Sequence, residues 1–369
     1  MKELRVIISG GGTGGHIFPA IAIAKSLEKK VKKIDILFVG AKDRMEMRKI
    51  PELGYDIKGL WISGLQRKLS FNNLLFPFKL IVSIYKSIKI INNFNPDLVI
   101  GTGGYASGPV LFVSSFFKCI PTLIQEQNSF AGLTNKLLSK YVNKICVAYD
   151  GMDRFFPKKN IEYTGNPIRD LIINSTSLDK QDSRRFFGLN NNRKTILVLG
   201  GSLGSKTINE SIINNIDKFN ENDLNLIWQT GSSFELENYK LLDRSIIKDI
   251  SIHKFIREMD KAYSASDIVV SRAGAIAISE ISFLGKASIL VPSPNVAEDH
   301  QTKNAQSLVE KKSALMVKDK DSRLNLVDEI IKLSNNITLQ KQLSLNVKKI
   351  SRVDAADRIS SISLKILKK

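Results

Sequence analysis

Short apolar runs, glycine-rich loops and amphipathic stretches follow one another along the chain, which is typical of repeated strand–loop–helix units. The apolar run at 4–8 leads into the loop SGGGTGGH at 9–16, and apolar residues at helical spacing continue to position 27. Because proline fits only the first turn of a helix, Pro19 predicts a helix that begins at about Phe18. The backbone N–H groups of 13–16 would then lie unpaired at a helix N-terminus, where anions bind.

The glycine spacing in this loop, GGGTGGH, differs from the GxGxxG of dinucleotide-binding loops, so it does not predict a dinucleotide site. His16 ends the loop and places a titratable side chain beside the expected anion. A glycine loop that ends in a histidine indicates a catalytic role as well as anion binding.

The second half of the chain opens in the same way as the first. An apolar run at 195–199 is followed by the loop GGSLGS at 200–205 and an amphipathic stretch to about Ile216. Further short strands are predicted at 34–39, 96–100, 121–125, 145–148, 226–228, 268–270 and 287–291. Two such halves predict two doubly wound α/β domains, with 163–167 as the linker.

Other loops at predicted strand ends carry ligand-type residues. A second glycine loop, GTGGYASGP at 101–109, also follows a predicted strand and leads into a predicted helix start at Pro109. Glu126, Gln127 and Asn128 follow another predicted strand, at the end where α/β folds bind ligands. In 274–280 a glycine opens a helix and Glu280 follows six residues later, which suits a diphosphate and a ribose but also a solvated helix surface. The stretch 298–301 (EDHQ) suits sugar hydroxyls or a simple helix cap.

Residues 71–91 admit two interpretations. The segment combines apolar and aromatic residues with three lysines: Leu74, Leu75, Phe76, Phe78, Leu80, Ile81, Ile84 and Tyr85 with Lys79, Lys86 and Lys89. The segment is either a core helix whose lysines extend outward or a basic, aromatic patch for a membrane surface.

Length, charge and cysteine content narrow the function classes. The 369 residues favour two domains, and 55 basic against 36 acidic residues favour an anionic partner such as nucleic acid, a phosphorylated substrate or a membrane surface. Only Cys119 and Cys146 are present, which fits a reduced cytosolic setting. We expect neither a signal peptide nor a spanning segment. We expect no metal site either, and interpret the DKD triplet at 319–321 as a solvated turn.

Together these motifs resemble the MurG family of N-acetylglucosaminyltransferases of peptidoglycan synthesis. The matching pieces lie, in the family's order, at 11–19 (GGTGGHIFP), 103–109 (GGYASGP), 126–128 (EQN) with Gly132, Asn135 and Lys136, 165–169 (GNPIR), 200–202 (GGS), 272–274 (RAG), 279–280 (SE), and 299–305 (DHQTKNA). The sequence departs from the family's common residues at Gln125, Leu203, Ser205, Ala277 and His300, which puts exact diphosphate and sugar contacts in question.

The resemblance implies a GT-B fold, with two Rossmann-like doubly wound domains separated by a deep cleft. Residues 1–165 would form an acceptor- and membrane-binding domain, 166–342 the UDP-N-acetylglucosamine domain, and 343–369 a C-terminal helix that packs back on the first domain. The implied reaction is inverting transfer of N-acetylglucosamine from UDP-N-acetylglucosamine to the C4 hydroxyl of the muramoyl sugar of lipid I, which yields lipid II and UDP. It implies no cofactor, and a peripheral location on the cytoplasmic face of the cell inner membrane, against anionic lipid.

The resemblance also assigns site residues. The reaction needs a general base, for which His16 is the first candidate and Glu126 the second. A contact between His16 and a phosphate is the alternative to its role as base. In the donor site, Ile256 would contact uracil through its backbone and Glu280 would bind the ribose. The diphosphate would be bound by Ser202, Gly274, Ala275 and Ile276. The sugar hydroxyls would be bound by His300 and Gln301. Thr13, Gly14, Gly15, Asn128 and Arg169 would also reach the donor. Gly11, Gly12, Gly103, Gly104, Tyr105 and Ser107 would hold the acceptor diphosphate.

Two alternatives differ from this assignment. Another UDP-sugar GT-B enzyme, such as a diacylglycerol glycosyltransferase or a UDP-sugar epimerase, shares the donor motifs, although an epimerase needs no lipid acceptor. The positive charge also allows a nucleic-acid-binding protein, but no recognition helix or stacking motif is present, so we expect no nucleic acid partner.

Overall fold

The computed structural model describes residues 3–64, 74–201, 203–235 and 249–368. The chain forms two compact units, one from Met1–Arg169 with Arg352–Lys369 and the other from Asp170–Ser351. Each unit is built around one sheet of parallel strands flanked by helices, so that each sheet is buried by helices as parallel sheets require.

Seven parallel strands form the sheet of the first unit, in the order β3-β2-β1-β4-β5-β6-β7. These strands are β1 (Leu4–Gly10), β2 (Ile34–Ala41), β3 (Asp56–Leu60), β4 (Leu98–Gly103), β5 (Thr122–Glu126), β6 (Lys144–Val147) and β7 (Ile161–Tyr163). Its helices are α1 (Gly14–Lys30), α2 (Glu46–Lys49), α3 (Phe76–Phe94), α4 (Ser107–Phe112) and α5 (Leu133–Leu138). Ile8 of β1 pairs with Phe38 on one side and Ile100 on the other, and all three are buried.

Six parallel strands form the sheet of the second unit, in the order β10-β9-β8-β11-β12-β13. These strands are β8 (Lys194–Leu199), β9 (Leu224–Gln229), β10 (Ile250–His253), β11 (Ile268–Ser271), β12 (Ala287–Leu290) and β13 (Leu315–Met316). Its helices are α6 (Asp170–Asn174), α7 (Lys180–Phe186), α8 (Lys206–Ile213), α9 (Asp217–Glu221), α10 (Met259–Ala265), α11 (Ala275–Leu284), α12 (His300–Glu310), α13 (Ser322–Asn335) and α14 (Ile337–Ile350). The buried Trp228 and Phe219 belong to its core.

The last helix, α15 (Ala355–Ile366), belongs to the first unit and packs against α1. The Ser26 hydroxyl donates to the Asp357 carboxylate at 2.6 Å, and Ile359 is fully buried in the first unit's core. The preceding helix α14 remains in the second unit.

The start of α1 was predicted wrongly. The helix begins at Gly14 rather than near Phe18, so Pro19 lies within it. The additional turn closes because the N–H groups of His16 and Ile17 both donate to the Thr13 carbonyl, at 3.1 and 3.3 Å. The His16 N–H is therefore paired, unlike the expectation for 13–16.

Four strands have no counterpart in the sequence prediction. Strands β3, β7, β10 and β13 are five, three, four and two residues long. All four are edge strands of the two sheets, in runs too short to show a period.

Candidate active site

Strand order reverses direction between β1 and β4 in the first unit, and between β8 and β11 in the second. Open α/β sheets bind ligands beyond the carboxyl ends of the strands at such points. The loops after β1 and β4 contact each other there. The Gly11 N–H donates to the Gly103 carbonyl at 3.3 Å, and Gly104, with φ of +83°, packs so closely on Gly11 that a side chain would collide with it.

A buried glutamate that the sequence analysis did not select organises the first loop. Both carboxylate oxygens of Glu46 lie 3.1 Å from the Gly12 nitrogen, and one also accepts from Ala41 N–H at 3.0 Å. The N–H groups of Gly11 and Gly12 are thus used within the protein. Among the hydrogen bonds of the described residues, the N–H groups of 13–15 donate none, so the anion-facing part of this loop is the start of α1.

His16 is held in one ring orientation. Its Nδ1 lies 2.9 Å from the Thr102 carbonyl oxygen and 3.2 Å from Gln127 Oε1. The Thr102 hydroxyl in turn donates to the His16 carbonyl at 3.0 Å. A carbonyl oxygen only accepts, so Nδ1 carries the proton and, in the neutral ring, Nε2 carries the lone pair.

The carboxylate of Glu126 is buried at the end of β5, and both of its oxygens accept hydrogen bonds. One oxygen accepts from the backbone and side-chain N–H groups of Asn128, at 3.0 and 3.3 Å. The other accepts from Gly132 N–H at 3.0 Å and from the Asn135 amide at 2.8 Å. Glu126 therefore orders the loop that carries Asn128.

The remaining candidates in the first unit lie around these loops. Ser107 is buried and its hydroxyl donates to the Gly104 carbonyl at 2.8 Å, whereas Tyr105 is 45% exposed. The Arg169 guanidinium lies over the Phe18 ring, 5.4 Å from its centre. Phe18 is in α1, so the end of this unit's first segment contacts the helix that carries His16.

In the second unit, the Gln229 side chain joins the glycine loop after β8 to the segment that holds Ile256. Gln229 donates to the Gly201 carbonyl at 3.1 Å and accepts from Ile256 N–H at 3.0 Å. Ile256 is buried, and its N–H is thus used within the protein. Ser202 lies outside the described residues.

The start of α11 matches an anion-binding helix N-terminus. Gly274 is the cap residue, with space beside its Cα, and Ala275 and Ile276 begin the helix. Glu280, farther along α11, is 2% exposed, which excludes a solvated helix surface. The Tyr263 hydroxyl donates to its carboxylate at 3.3 Å.

The start of α12 lies against the same loops. His300 is its first residue, and Gln301 Oε1 accepts from Ser293 N–H at 2.9 Å. The Asn304 amide donates to the Ala273 carbonyl at 3.3 Å. This bond brings the helix that carries His300 and Gln301 beside the start of α11, where Gly274, Ala275 and Ile276 lie.

Comparison with known proteins shows which protein family this chain is related to. The models of the glycosyltransferase family 28 N-terminal and C-terminal domains match residues 6–147 and 195–359. Over 97% of its length the chain is 51% identical to the UDP-N-acetylglucosamine–N-acetylmuramyl-(pentapeptide) pyrophosphoryl-undecaprenol N-acetylglucosamine transferase of Cytophaga hutchinsonii, 95% of which is covered. It is 49% identical over the full length of both chains to the Parabacteroides distasonis protein of that name.

The crystal structure of MurG from Acinetobacter baumannii matches with a TM-score of 0.77 and 26% identity, covering 98% of this chain and 99% of the other. The chain belongs to the MurG family. The predictions of a glycosyltransferase and of two Rossmann-like domains are confirmed.

An arginine of the MurG-like RAG motif supports the second unit's loops. Arg272 forms an ion pair with Asp319 at 2.5 Å and donates to the Ser205 hydroxyl and to the carbonyls of Val291 and Pro292. The prediction of a solvated turn at 319–321 was wrong for Asp319, because only 15% of its side chain is exposed. The sequence carried no local sign of this pairing.

The orientation of α3 in this MurG-family chain bears on the two interpretations of 71–91. Lys79, Ser83 and Ser87 face inward and are buried, with Lys79 donating to Ser63 at 3.1 Å. The outward face is apolar: Leu74, Phe78, Ile81 and Tyr85 are 75, 58, 66 and 59% exposed. The prediction that the lysines extend outward is therefore wrong for Lys79, although Lys89 is exposed. Positions 71–73 lie outside the described residues.

Within the described part of the chain, no helix combines the length and apolar character needed to cross a bilayer.

Proposed function

We propose that the chain transfers N-acetylglucosamine from UDP-N-acetylglucosamine to the C4 hydroxyl of the N-acetylmuramoyl sugar of lipid I, forming lipid II and UDP. The observation that carries this proposal is identity of about one half, over essentially the whole chain, to enzymes named for this transfer. The motifs of both units are included in that match. Peptidoglycan synthesis is the process that uses the product.

His16 is the general base in this proposal. The acceptor C4 oxygen attacks the anomeric carbon of the donor, the bond from that carbon to the diphosphate oxygen breaks, and the configuration inverts. The proton of the C4 hydroxyl passes to His16 Nε2, and the negative charge of the broken bond leaves on UDP. The bond from Nδ1 to the Thr102 carbonyl supports this role, because it leaves Nε2 as the basic nitrogen.

Glu126 is the weaker candidate for the base. Its carboxylate already accepts from two backbone N–H groups and two side-chain amides, and it is buried. A carboxylate in this setting would have to release several bonds to take a proton. We therefore assign Glu126 to the ordering of the Asn128 loop.

The acceptor diphosphate is assigned to the two glycine loops of the first unit. The N–H groups of Thr13, Gly14 and Gly15 at the start of α1 donate no hydrogen bond within the described residues and suit diphosphate oxygens. We assign them here to the acceptor, whereas the resemblance implies a contact with the donor. Gly11, Gly12, Gly103 and Gly104 shape the backbone beside them, and Tyr105 and Ser107 complete the second loop.

The donor is assigned to the second unit. The helix start at Gly274, Ala275 and Ile276 suits its diphosphate, and the buried Glu280 suits two ribose hydroxyls. Since Ile256 N–H donates to Gln229, the Ile256 carbonyl is the group we expect to meet the uracil. His300 and Gln301 are assigned to the sugar hydroxyls.

A transfer assay tests the reaction and these roles. Labelled UDP-N-acetylglucosamine is incubated with a short-chain lipid I analogue and EDTA, and product is followed for wild type, His16→Ala and Glu280→Ala. We expect His16→Ala to lower kcat by about 10²–10⁴-fold, the usual contribution of a general base. Glu280→Ala is expected to raise KM for the donor.

The matched control is Glu329→Ala, which removes the same side chain as Glu280→Ala from a position on α13 where Glu329 pairs with Lys332. It is expected to retain transfer. Full activity of His16→Ala would refute its role as base, and sugar transfer to no muramoyl acceptor would refute the assigned reaction. Loss of transfer in EDTA would contradict the expectation that no metal is needed.

The outward face of α3 is proposed to contact the anionic membrane surface that holds the lipid acceptor. An exposed apolar stripe on a helix whose inner face is polar is stabilised when it enters the apolar boundary of a bilayer. The exposed Phe116 and Phe117, just after α4, extend this surface, and the excess positive charge favours anionic lipid. A peripheral location on the cytoplasmic face of the inner membrane follows from this proposal.

Vesicle binding tests the membrane contact. Phe78 and Ile81 are 58 and 66% exposed, so burying both contributes about 2–4 kcal/mol, and Phe78→Ser with Ile81→Ser should weaken binding about 30-fold or more. Cosedimentation with vesicles of phosphatidylglycerol and phosphatidylcholine measures this change. Leu324→Ser, at an 81% exposed position of α13, is the control and should bind like wild type. Equal binding by the double variant would refute the assignment.

A further inference from the structure

Behind His16 lies a chain of buried amide side chains. Gln127 Nε2 donates to the Thr102 carbonyl at 2.6 Å and to Gln125 Oε1. Gln125 Nε2 donates to Asn166 Oδ1 at 2.8 Å, and Asn166 Nδ2 donates back to the Gln127 carbonyl at 3.0 Å. All three amide side chains are at most 4% exposed.

The direction of every bond in this chain follows from backbone carbonyls, which only accept. The Gln127 carbonyl requires the nitrogen of Asn166 to face it, so the Asn166 oxygen must face Gln125. The nitrogen of Gln125 then faces Asn166 and its oxygen faces Gln127. The nitrogen of Gln127 points toward Gln125, and its oxygen is left toward His16.

The amide chain therefore presents an acceptor, and only an acceptor, to the histidine ring. Gln127 Oε1 and the Thr102 carbonyl both face Nδ1, at 3.2 and 2.9 Å. Gln127 also holds that carbonyl through its own nitrogen, so one side chain positions both acceptors. A buried network in which every bond direction is specified holds a ring more rigidly than a single bond does.

We propose that Gln127 is a positioning residue for His16: with Gln125 and Asn166 behind it, Gln127 keeps the ring in the Nδ1–H tautomer and aims Nε2. This inference rests on the proposed role of His16 as the base. Asn166 lies three residues before Arg169, the last residue of this unit before the chain enters the second unit. The chain of amides thus ties the base to the segment that connects the two units.

The test is a double-mutant cycle with His16. Gln127→Met keeps the length of the side chain and removes both hydrogen-bonding ends. We expect kcat to fall roughly 10- to 100-fold, part of the 10²–10⁴-fold that a general base supplies, with KM for the donor unchanged. In the His16→Ala background, Gln127→Met should change kcat no further, because it acts through the ring.

The control is Asn225→Leu, which removes a buried bridging amide of the second unit that donates to the Asn190 carbonyl at 2.7 Å. It is expected to lower stability and leave kcat unchanged. An equal loss of kcat from Gln127→Met with and without His16 would overturn the positioning role. Full activity of His16→Ala would instead refute the proposed base, so the two failures are distinguishable.

A measurement on the wild-type protein tests the inference without depending on whether the Gln127 variant folds. The chain has three histidines, so the ring nitrogen NMR signals of His16 can be assigned by difference from a His16→Ala sample. Neutral His16 is expected to carry its proton on Nδ1. A neutral ring protonated on Nε2 would overturn the inference.

Discussion

The contact between the two glycine loops of the first unit makes a quantitative prediction for a single methyl group. Gly104 has φ of +83°, and a Cβ there would lie 2.3 Å from the Gly11 carbonyl oxygen. Gly12 has a similar φ of +88°, but a Cβ there would meet no atom within 4 Å. The pair Gly104→Ala and Gly12→Ala therefore separates collision from backbone strain.

The two costs can be worked out separately. An alanine in the left-handed region costs about 1–2 kcal/mol in either variant. Gly104→Ala adds overpacking of about 1–3 kcal/mol and the loss of about 1 kcal/mol from the Gly11–Gly103 hydrogen bond as the loops separate. The expected totals are about 1–2 kcal/mol for Gly12→Ala and about 3–6 kcal/mol for Gly104→Ala.

Urea unfolding followed by circular dichroism measures the difference, with midpoints converted through the slope of the transition. Transfer assays on the folded variants should show the larger loss of acceptor turnover for Gly104→Ala. Equal destabilisation by the two substitutions would mean that the loops do not touch as described. A larger effect of Gly12→Ala would refute the reasoning altogether.

Three further predictions concern buried polar groups. Glu126→Gln turns an NH₂ toward N–H donors, so thermal unfolding should show a loss of roughly 2–4 kcal/mol that His16→Ala does not share. Burial, followed by the charge of Lys180, lowers the pKa of Lys286 to about 8. Above that pH the unfolded chain keeps a proton that the folded chain has lost, so the urea midpoint of wild type relative to that of Lys286→Met should rise from pH 8 toward about pH 10. Tyr263→Phe removes a hydroxyl that donates to Glu280, and steady-state kinetics should show KM for the donor raised by about 3- to 10-fold.

The parts of the site that depend on residues close together in the sequence were predictable. A glycine loop between a strand and a helix is recognisable because turn residues and helix starts depend on neighbours in the sequence, as at 9–16 and 200–205. The exact start of a helix was harder to predict from the sequence. Helix α1 begins at Gly14 because the Thr13 carbonyl accepts the hydrogen bonds that close an extra turn. Glu46 could not be selected, since its partner Gly12 is 34 positions away.

The sequence by itself determined the two α/β halves, the strands that form their centres, the glycine loops and the family. These features depend on short-range periodicity, on backbone conformation and on motifs in a fixed order. Only the tertiary structure decided that α3 turns its apolar face outward, that Asp319 pairs with Arg272, and that the amide chain ends at His16. His16 and Gln127 are 111 positions apart and meet because β1 and β4 are neighbours in the sheet and β5 follows β4. Strand order decides such contacts, and the local pattern of side chains does not encode it.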